Sequence, residues 1–140
     1  PEKLFDAFVD YREELGFTVF PLTGGSQKPM DGLRATLESG GVVALLGERD
    51  LLHHGVSVDF FGSRTTMPVG AVRLAQETGA ALHGVHCWFT PEGWGHSVGE
   101  PLNTDKPIPE VVQDLAKVFE KNISEHPEDW HMLQRIWNED

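Results

Sequence analysis

The spacing of apolar positions changes several times along the chain, and each change marks an element. Leu4, Phe5, Phe8, Tyr11, Arg12 and Leu15 fall on one face at helical spacing and Gly16 follows as a stop, which predicts a first helix with one buried side. Residues 17–22 (FTVFPL) are rich in aromatic and β-branched side chains with Pro21 near the end, the pattern of a strand at or near a sheet edge. A Gly and Ser loop over 23–28 leads to a second helix over 29–39, with Pro29 in its first turn and Gly40-Gly41 as its stop. Residues 42–46 (VVALL) are a short β-branched run, too short to span a membrane, and read as a buried strand; 56–61 (VSVDFF) read as the next.

Beyond Phe61 a third helix is expected, with Thr65 or Thr66 as N-cap, Pro68 in the first turn, a stripe of Val69, Val72 and Ala75, and Gly79 as the stop. Residues 80–89 and 94–98 flank the turn-type sequence Thr90-Pro91-Glu92-Gly93 and predict a hairpin. After a proline-punctured connection, Val111, Val112, Leu115, Val118, Phe119 and Ile123 mark the longest amphipathic helix, 108–125. Pro127 breaks it, and 128–137 read as a short final helix. Helices separating most strands give an α/β fold class, a mostly parallel sheet flanked by helices.

The stretch from Gly41 to Gly62 stands out because its apolar run ends abruptly in charge. Glu48, Arg49 and Asp50 follow it directly, at what would be the C-terminal end of a strand, the edge where open α/β sheets bind ligands. Two readings stay open: a solvated charge cluster, or a carboxylate that orients a base beside a cation for an anionic group. Arg12, on an otherwise apolar helical face, is either a snorkelling side chain or a partner for such a carboxylate.

Composition narrows the classes. With 140 residues the chain is one domain's worth of sequence, and its net charge of -11 argues against a nucleic-acid partner and against membrane attachment by bulk charge. The single cysteine, Cys87, cannot form an intrachain disulfide or a zinc site of the CxxC kind, which sets a reducing compartment as the default. No run of about eighteen apolar residues is present. The start at Pro1, directly in a helical pattern, is read as that of a fragment.

Three short motifs compete for attention. Gly95-His96-Ser97-Val98-Gly99 spells G-x-S-x-G, the nucleophile elbow of serine esterases, with Asp129 and His131 downstream in hydrolase order. An elbow needs a strand-to-helix turn, and here the string sits in a hairpin arm followed by Glu100-Pro101, so its context is missing. His54 and Asp59 give H-x-x-x-x-D, but across a loop and into a strand this spacing fixes no shared direction, and His53 and His54 read as exposed loop residues. His83 and Cys87 share one strand face while His86 faces the other, which does not close a tetrahedral site, so no metal is expected. Trp88, Phe89 and Trp94 read as core, and Trp130, His131, Arg135 and Trp137 first as packing of the tail, then as a cap or site lining.

Several ordered blocks carry a resemblance. GGVVALLGERDL, then VDFFG with Thr65 and Thr66, then TTMPVGAVRLAQETGAALHGVHCWF, then a long helix ending in NISEHPEDWHMLQRIW, resemble the bacterial late lipid acyltransferases, a family of lipid A lauroyl and myristoyl transferases and their relatives. The closing PEDWHMLQR is similar to the family's PEQYxWxHRR tail, and HCWF with DWHML is most similar to the branch that acylates phosphatidylinositol mannosides. The resemblance implies the C-terminal portion, 1–140, of a glycerolipid-acyltransferase-like domain. It also implies transfer of a long acyl chain from acyl-CoA, as co-substrate and with no cofactor, to a mannose hydroxyl of a phosphatidylinositol mannoside.

In that family a histidine acts as general base and a carboxylate orients it. The resemblance matches Glu48 to the orienting carboxylate and Arg12 and His131 to site lining or structural support; with Arg49, the cation beside Glu48, these two are the expected substrate-binding residues. The family's H-x-x-x-x-D/E dyad belongs upstream of Pro1, so the chain by itself is expected to be inactive. The family's membrane-facing segment belongs there too, which places the longer enzyme on the cytoplasmic face of the bacterial plasma membrane and leaves the fragment soluble. Glycolipid acceptor and acyl-CoA are the implied partners. A truncated sheet exposing an edge and an apolar face is expected to self-associate. A serine esterase acting through Ser97 and a non-catalytic acidic binding domain are the competing readings.

Overall fold

The computed structural model describes residues 2–21, 28–133 and 135–137; Leu22, most of the expected 23–28 loop and Gln134 lie outside them. The chain divides into two compact units, Pro1–Val43 and Ala44–Asp140.

In the first unit, α1 (Glu2–Glu14) ends where expected, at Gly16, whose φ of 88° lets the chain turn back while Phe17 N–H reaches Arg12 C=O at 3.1 Å. Its apolar face is not buried: Leu4, Phe8, Tyr11 and Leu15 are all exposed. Residues 17–21 form no strand, which corrects the expected edge strand. The ring of Phe20 instead rests on α2 (Pro29–Glu38) at Gly32, so closely that a Cβ there would lie 2.2 Å from it. Pro29 opens α2, and Gly40 with φ 82° lies just past its end.

The second unit is built on antiparallel pairs, not a mostly parallel sheet. β1 (Val56–Phe60) turns through Phe61 and Gly62, both at positive φ, into β2 (Ser63–Met67), a two-residue hairpin whose twist suits its strands. Thr65 and Thr66 therefore lie within a strand and cap no helix; α3 (Gly70–Thr78) begins later and ends at Gly79, φ 72°. β3 (His83–Thr90) and β4 (Gly93–Pro101) form the second hairpin, as the turn sequence predicts. Residues 42–46, expected as a buried strand, pair with nothing among the described residues, and Val42, Leu45 and Leu46 are exposed. The physical difference is locality. A hairpin needs only a compatible turn, whereas a parallel strand needs a neighbour delivered by a crossover.

Helix α4 (Ile108–Glu125) joins the pairs. Its Val111, Val112 and Ala116 pack on Val58 and Phe60 of β1, Met67 of β2 and Val72 of α3 to make the core. Gln113 also behaves like a strand neighbour: its carbonyl accepts from Asp59 N–H at 2.8 Å and its amide donates to Asp59 C=O at 2.9 Å. On the other side Gly84 of β3 sits under Val118, 2.5 Å from where a Cβ would be. Trp88 is half-buried, but Phe89 and Trp94, read as core, are exposed, Trp94 to 71%.

After α4 a single 3-10 turn (Pro127–Asp129) replaces the expected final helix. The tail then runs extended across the first hairpin. Trp137 Nε1–H donates to Phe60 C=O at 2.9 Å, Thr65 Oγ1 donates to Ile136 C=O, and Trp130 and Trp137 pack around the Phe60 ring. The reading of these tryptophans as tail packing holds.

Two glycines, Gly47 and Gly55, are closely packed on either side of the 48–54 segment, and they should respond differently to a methyl group. A Cβ on Gly55 would meet the Met67 carbonyl oxygen at 2.2 Å, whereas one on Gly47 would meet the end of the Phe119 ring at 2.7 Å. Backbone cannot rotate aside as a ring can, so Gly55→Ala is expected to destabilise by about 2–3 kcal/mol and Gly47→Ala by about 1 kcal/mol. Urea unfolding of both variants measures the order, which equal losses would contradict.

Candidate functional site

The charged residues after the 42–46 run are brought against the tail. Gly47 is buried against Phe119 and Leu115 of α4, so the backbone just before Glu48 is set directly on the core helix. A cavity of about 180 Å³ opens there, lined by Glu48, Arg49, Asp50 and His53 on one side, Thr66 of β2, and Met132, Arg135 and Ile136 of the tail. The Glu48 side chain is only 19% exposed, and its Oε1 lies 3.8 Å from Arg49 Nε. Arg49 Nη2 donates to the backbone carbonyl of His131 at 3.0 Å, across 82 residues of sequence. The structure thus brings three of the four expected site residues together, although His131 contributes its backbone and its side chain is exposed.

Arg12 belongs to the first unit. There its guanidinium lies 3.5 Å from the centroid of the Phe8 ring and donates to Phe8 C=O at 3.1 Å, a cation–π contact one turn back on α1.

Asp50 has a different task from its neighbours. Its Oδ1 accepts from His54 N–H at 3.2 Å and its Oδ2 from Gly55 N–H at 2.9 Å, which folds the 50–55 loop around the carboxylate. Burial pushes this carboxyl up, but hydrogen bonds from Gly55 N–H, the Thr66 hydroxyl and His54 N–H, with the nearby charge of His53, more than offset it, and the net direction is down. Sequence reading placed Asp50 in the charge cluster without assigning it this role. The available signal was an aspartate followed by a glycine five residues on at the entrance to a strand. The contribution of Thr66, Met132 and Ile136 to the cavity depends on long-range packing and had no such signal.

The other motifs separate cleanly. Ser97 is mid-strand in β4, opposite His86 in β3, and the strand continues to Pro101, so the sharp turn of a nucleophile elbow is not formed. His54 is exposed, and the Asp59 carboxylate lies 3.7 Å from Arg64 across the first hairpin. Cys87 is exposed on the outer face of the second hairpin. His126, Glu128 and Asp129 each bring a possible ligand atom within 4.8 Å of the others. Two of them already have structural work: Asp129 accepts from Phe89 N–H at 3.1 Å, and the His126 ring stacks on Trp88 at 4.6 Å.

These features define a polar cavity with an ion pair at its edge and the chain's own tail as one wall, not a hydrolase elbow. Over residues 1–139 the sequence matches the family described as bacterial lipid A biosynthesis acyltransferase, and the chain belongs to that family. It is 51% identical over 138 residues to the phosphatidylinositol mannoside acyltransferase of Mycobacterium tuberculosis (strain H37Rv), an alignment covering 98% of this chain and 44% of that protein. The protein of the same name from Mycolicibacterium smegmatis is 50% identical over 138 residues, covering 98% of this chain and 45% of its own length. The chain therefore spans a little under half the length of the curated relatives it matches. Among the described residues no helix is long and apolar enough to cross a membrane.

Asp50 generates a pH prediction. A carboxyl whose folded pKa is depressed adds stability that is present above its unfolded value, near 3.9, and is lost as pH falls through the lower folded value. Asp50→Asn keeps the shape but presents an amide donor to one of two N–H groups, so it is expected to destabilise by about 1–3 kcal/mol at neutral pH. The gap between wild type and variant should shrink on acidification below about pH 4. Chemical denaturation across pH 3–7 tests this, and a gap constant with pH would remove Asp50 from the linkage.

Proposed function

We propose that this chain is the C-terminal portion of an acyltransferase of glycolipid biosynthesis that moves a long acyl chain from acyl-CoA to a mannose hydroxyl of a phosphatidylinositol mannoside. The observation that carries the reading is the half-buried Glu48 carboxylate at the cavity edge, in a chain 51% identical to a protein named phosphatidylinositol mannoside acyltransferase. In this reading a histidine of an H-x-x-x-x-D/E block upstream of Pro1 takes the proton of the acceptor hydroxyl. The hydroxyl oxygen attacks the thioester carbonyl, the C–S bond breaks, and coenzyme A leaves as its thiol after receiving that proton. Glu48 orients the histidine and stabilises its imidazolium. Arg12 and His131 serve substrate binding, and Arg49 lines the cavity beside Glu48. No cofactor is required by this chemistry. The longer enzyme works at the cytoplasmic face of the plasma membrane, reached through its upstream segment, where its acceptor resides.

Glu48→Gln in the full-length enzyme keeps the size of the side chain and removes the charge. The expected result is a fall of about 10²–10⁴-fold in kcat for acyl transfer from palmitoyl-CoA to a mannosylated phosphatidylinositol. Undiminished turnover would take Glu48 out of the mechanism.

The 140-residue chain alone is proposed to be inactive and to pair with a second copy. Support comes from the outer face of the second hairpin, where Val85, Phe89, Trp94 and Val98 are exposed side by side across β3 and β4. Light scattering should return a mass above that of one chain, and a monomeric mass would overturn the expectation.

A further inference from the structure

We propose that Arg49 is a positioning residue that ties the C-terminal tail to the Glu48 carboxylate, so that the seating of the tail against the cavity and the setting of the carboxylate depend on one side chain. This rests on the reading of Glu48 given above and extends it to the element that walls the site.

The tail is held at two ends. At its far end Trp137 Nε1–H donates to Phe60 C=O at 2.9 Å and Ile136 C=O accepts from Thr65. At its near end the Arg49 guanidinium holds the His131 carbonyl at 3.0 Å. Met132, next in sequence to that carbonyl, and Ile136 are the apolar tail residues facing the cavity. Arg49 therefore controls how closely the near half of this wall approaches Glu48.

The same guanidinium has a second, unfinished contact. Its Nε is buried and has no hydrogen-bond partner among the described residues, and Glu48 Oε1 lies 3.8 Å away. A movement of roughly 1 Å would bring that pair to hydrogen-bond length. A buried N–H of a charged group lying just short of a carboxylate is the arrangement expected where ligand binding finishes the contact, since catalytic hydrogen bonds tighten in the substrate complex. A planar fork can hold a carbonyl with one nitrogen and a carboxylate with another; a lysine ammonium on a flexible stem does not fix both directions.

The test is a double-mutant cycle in the full-length enzyme, with Arg49→Met and Arg49→Lys each made alone and with Glu48→Gln. Activity is read as separate kcat and KM for acyl-CoA and acceptor, and amide hydrogen exchange is read over residues 131–133. Arg49→Met is expected to lower kcat at least tenfold with KM within twofold, and Arg49→Lys to recover less than a third of the loss. In the Glu48→Gln background the same change should cost less than twofold more, because a residue acting through Glu48 has nothing left to position. Exchange at 131–133 should rise in both Arg49 variants.

A raised KM at unchanged kcat would make Arg49 a substrate-binding residue only and overturn the proposal. Full rescue by lysine, additive losses in the cycle, or unaltered exchange in both variants would do so as well. Full activity of Glu48→Gln itself would instead sink the assignment of Glu48, and the exchange measurement would still decide whether Arg49 holds the tail.

Discussion

The second unit depends on one helix burying one face. Two-stranded hairpins are at best marginal in water, because each has a single ladder and too little apolar surface to offset the entropy of ordering it. Here two hairpins, each a separate sheet, are made stable by α4. Val111, Val112 and Ala116 cover the inner face of β1 and β2, while Leu115 and Val118 approach β3 where Gly84 leaves room for them. The helix also completes hydrogen bonding at the exposed edge of β1. Gln113 matches the donor and acceptor of Asp59, and Glu120 accepts from Phe61 N–H at 2.7 Å in the turn itself. Side chains thus do for β1 what a third strand would, which blunts an edge otherwise open to pairing.

That dependence explains which parts of the fold were legible in the sequence. α4 could be read to the residue because its apolar stripe is long and bounded by prolines, and the β3–β4 hairpin because Thr90-Pro91-Glu92-Gly93 is a local turn signal. Gly16, Gly40 and Gly79 stop their helices for reasons contained in a few residues. β2 was hidden because Thr65 and Thr66 ahead of Pro68 imitate the start of a helix. What decides against it is the alternate burial of Thr65 and Met67, which comes from α4 and the tail rather than from the local sequence. The 42–46 run shows the converse. Its β propensity is high, but a strand is a relation between two segments, and propensity does not supply the second.

The site was legible in its charges and illegible in its walls. Glu48-Arg49-Asp50 announces itself because three charged residues interrupt an apolar run. The tail that faces them arrives from more than 80 residues away, and nothing in PEDWHMLQR indicates an extended path rather than a helix. The tail takes that path because its aromatic anchors find the Phe60 ring and its backbone finds Thr65, a tertiary override of local preference.

The three adjacent charges can be given separate work by accounting for their hydrogen bonds. Asp50 has both carboxylate oxygens occupied by backbone N–H groups of its own loop, so it has little capacity left for a substrate, and its role is to shape the 50–55 turn. Arg49 is bound through one nitrogen to the tail, which makes it a structural bridge before it is anything else. Glu48 is the one of the three whose carboxylate borders the cavity with its nearest charged neighbour at 3.8 Å, beyond hydrogen-bond length. A carboxylate largely withdrawn from solvent and without a hydrogen bond among the described residues retains the capacity to accept one. Of the three, Glu48 is the one whose carboxylate keeps unused acceptor capacity at the cavity.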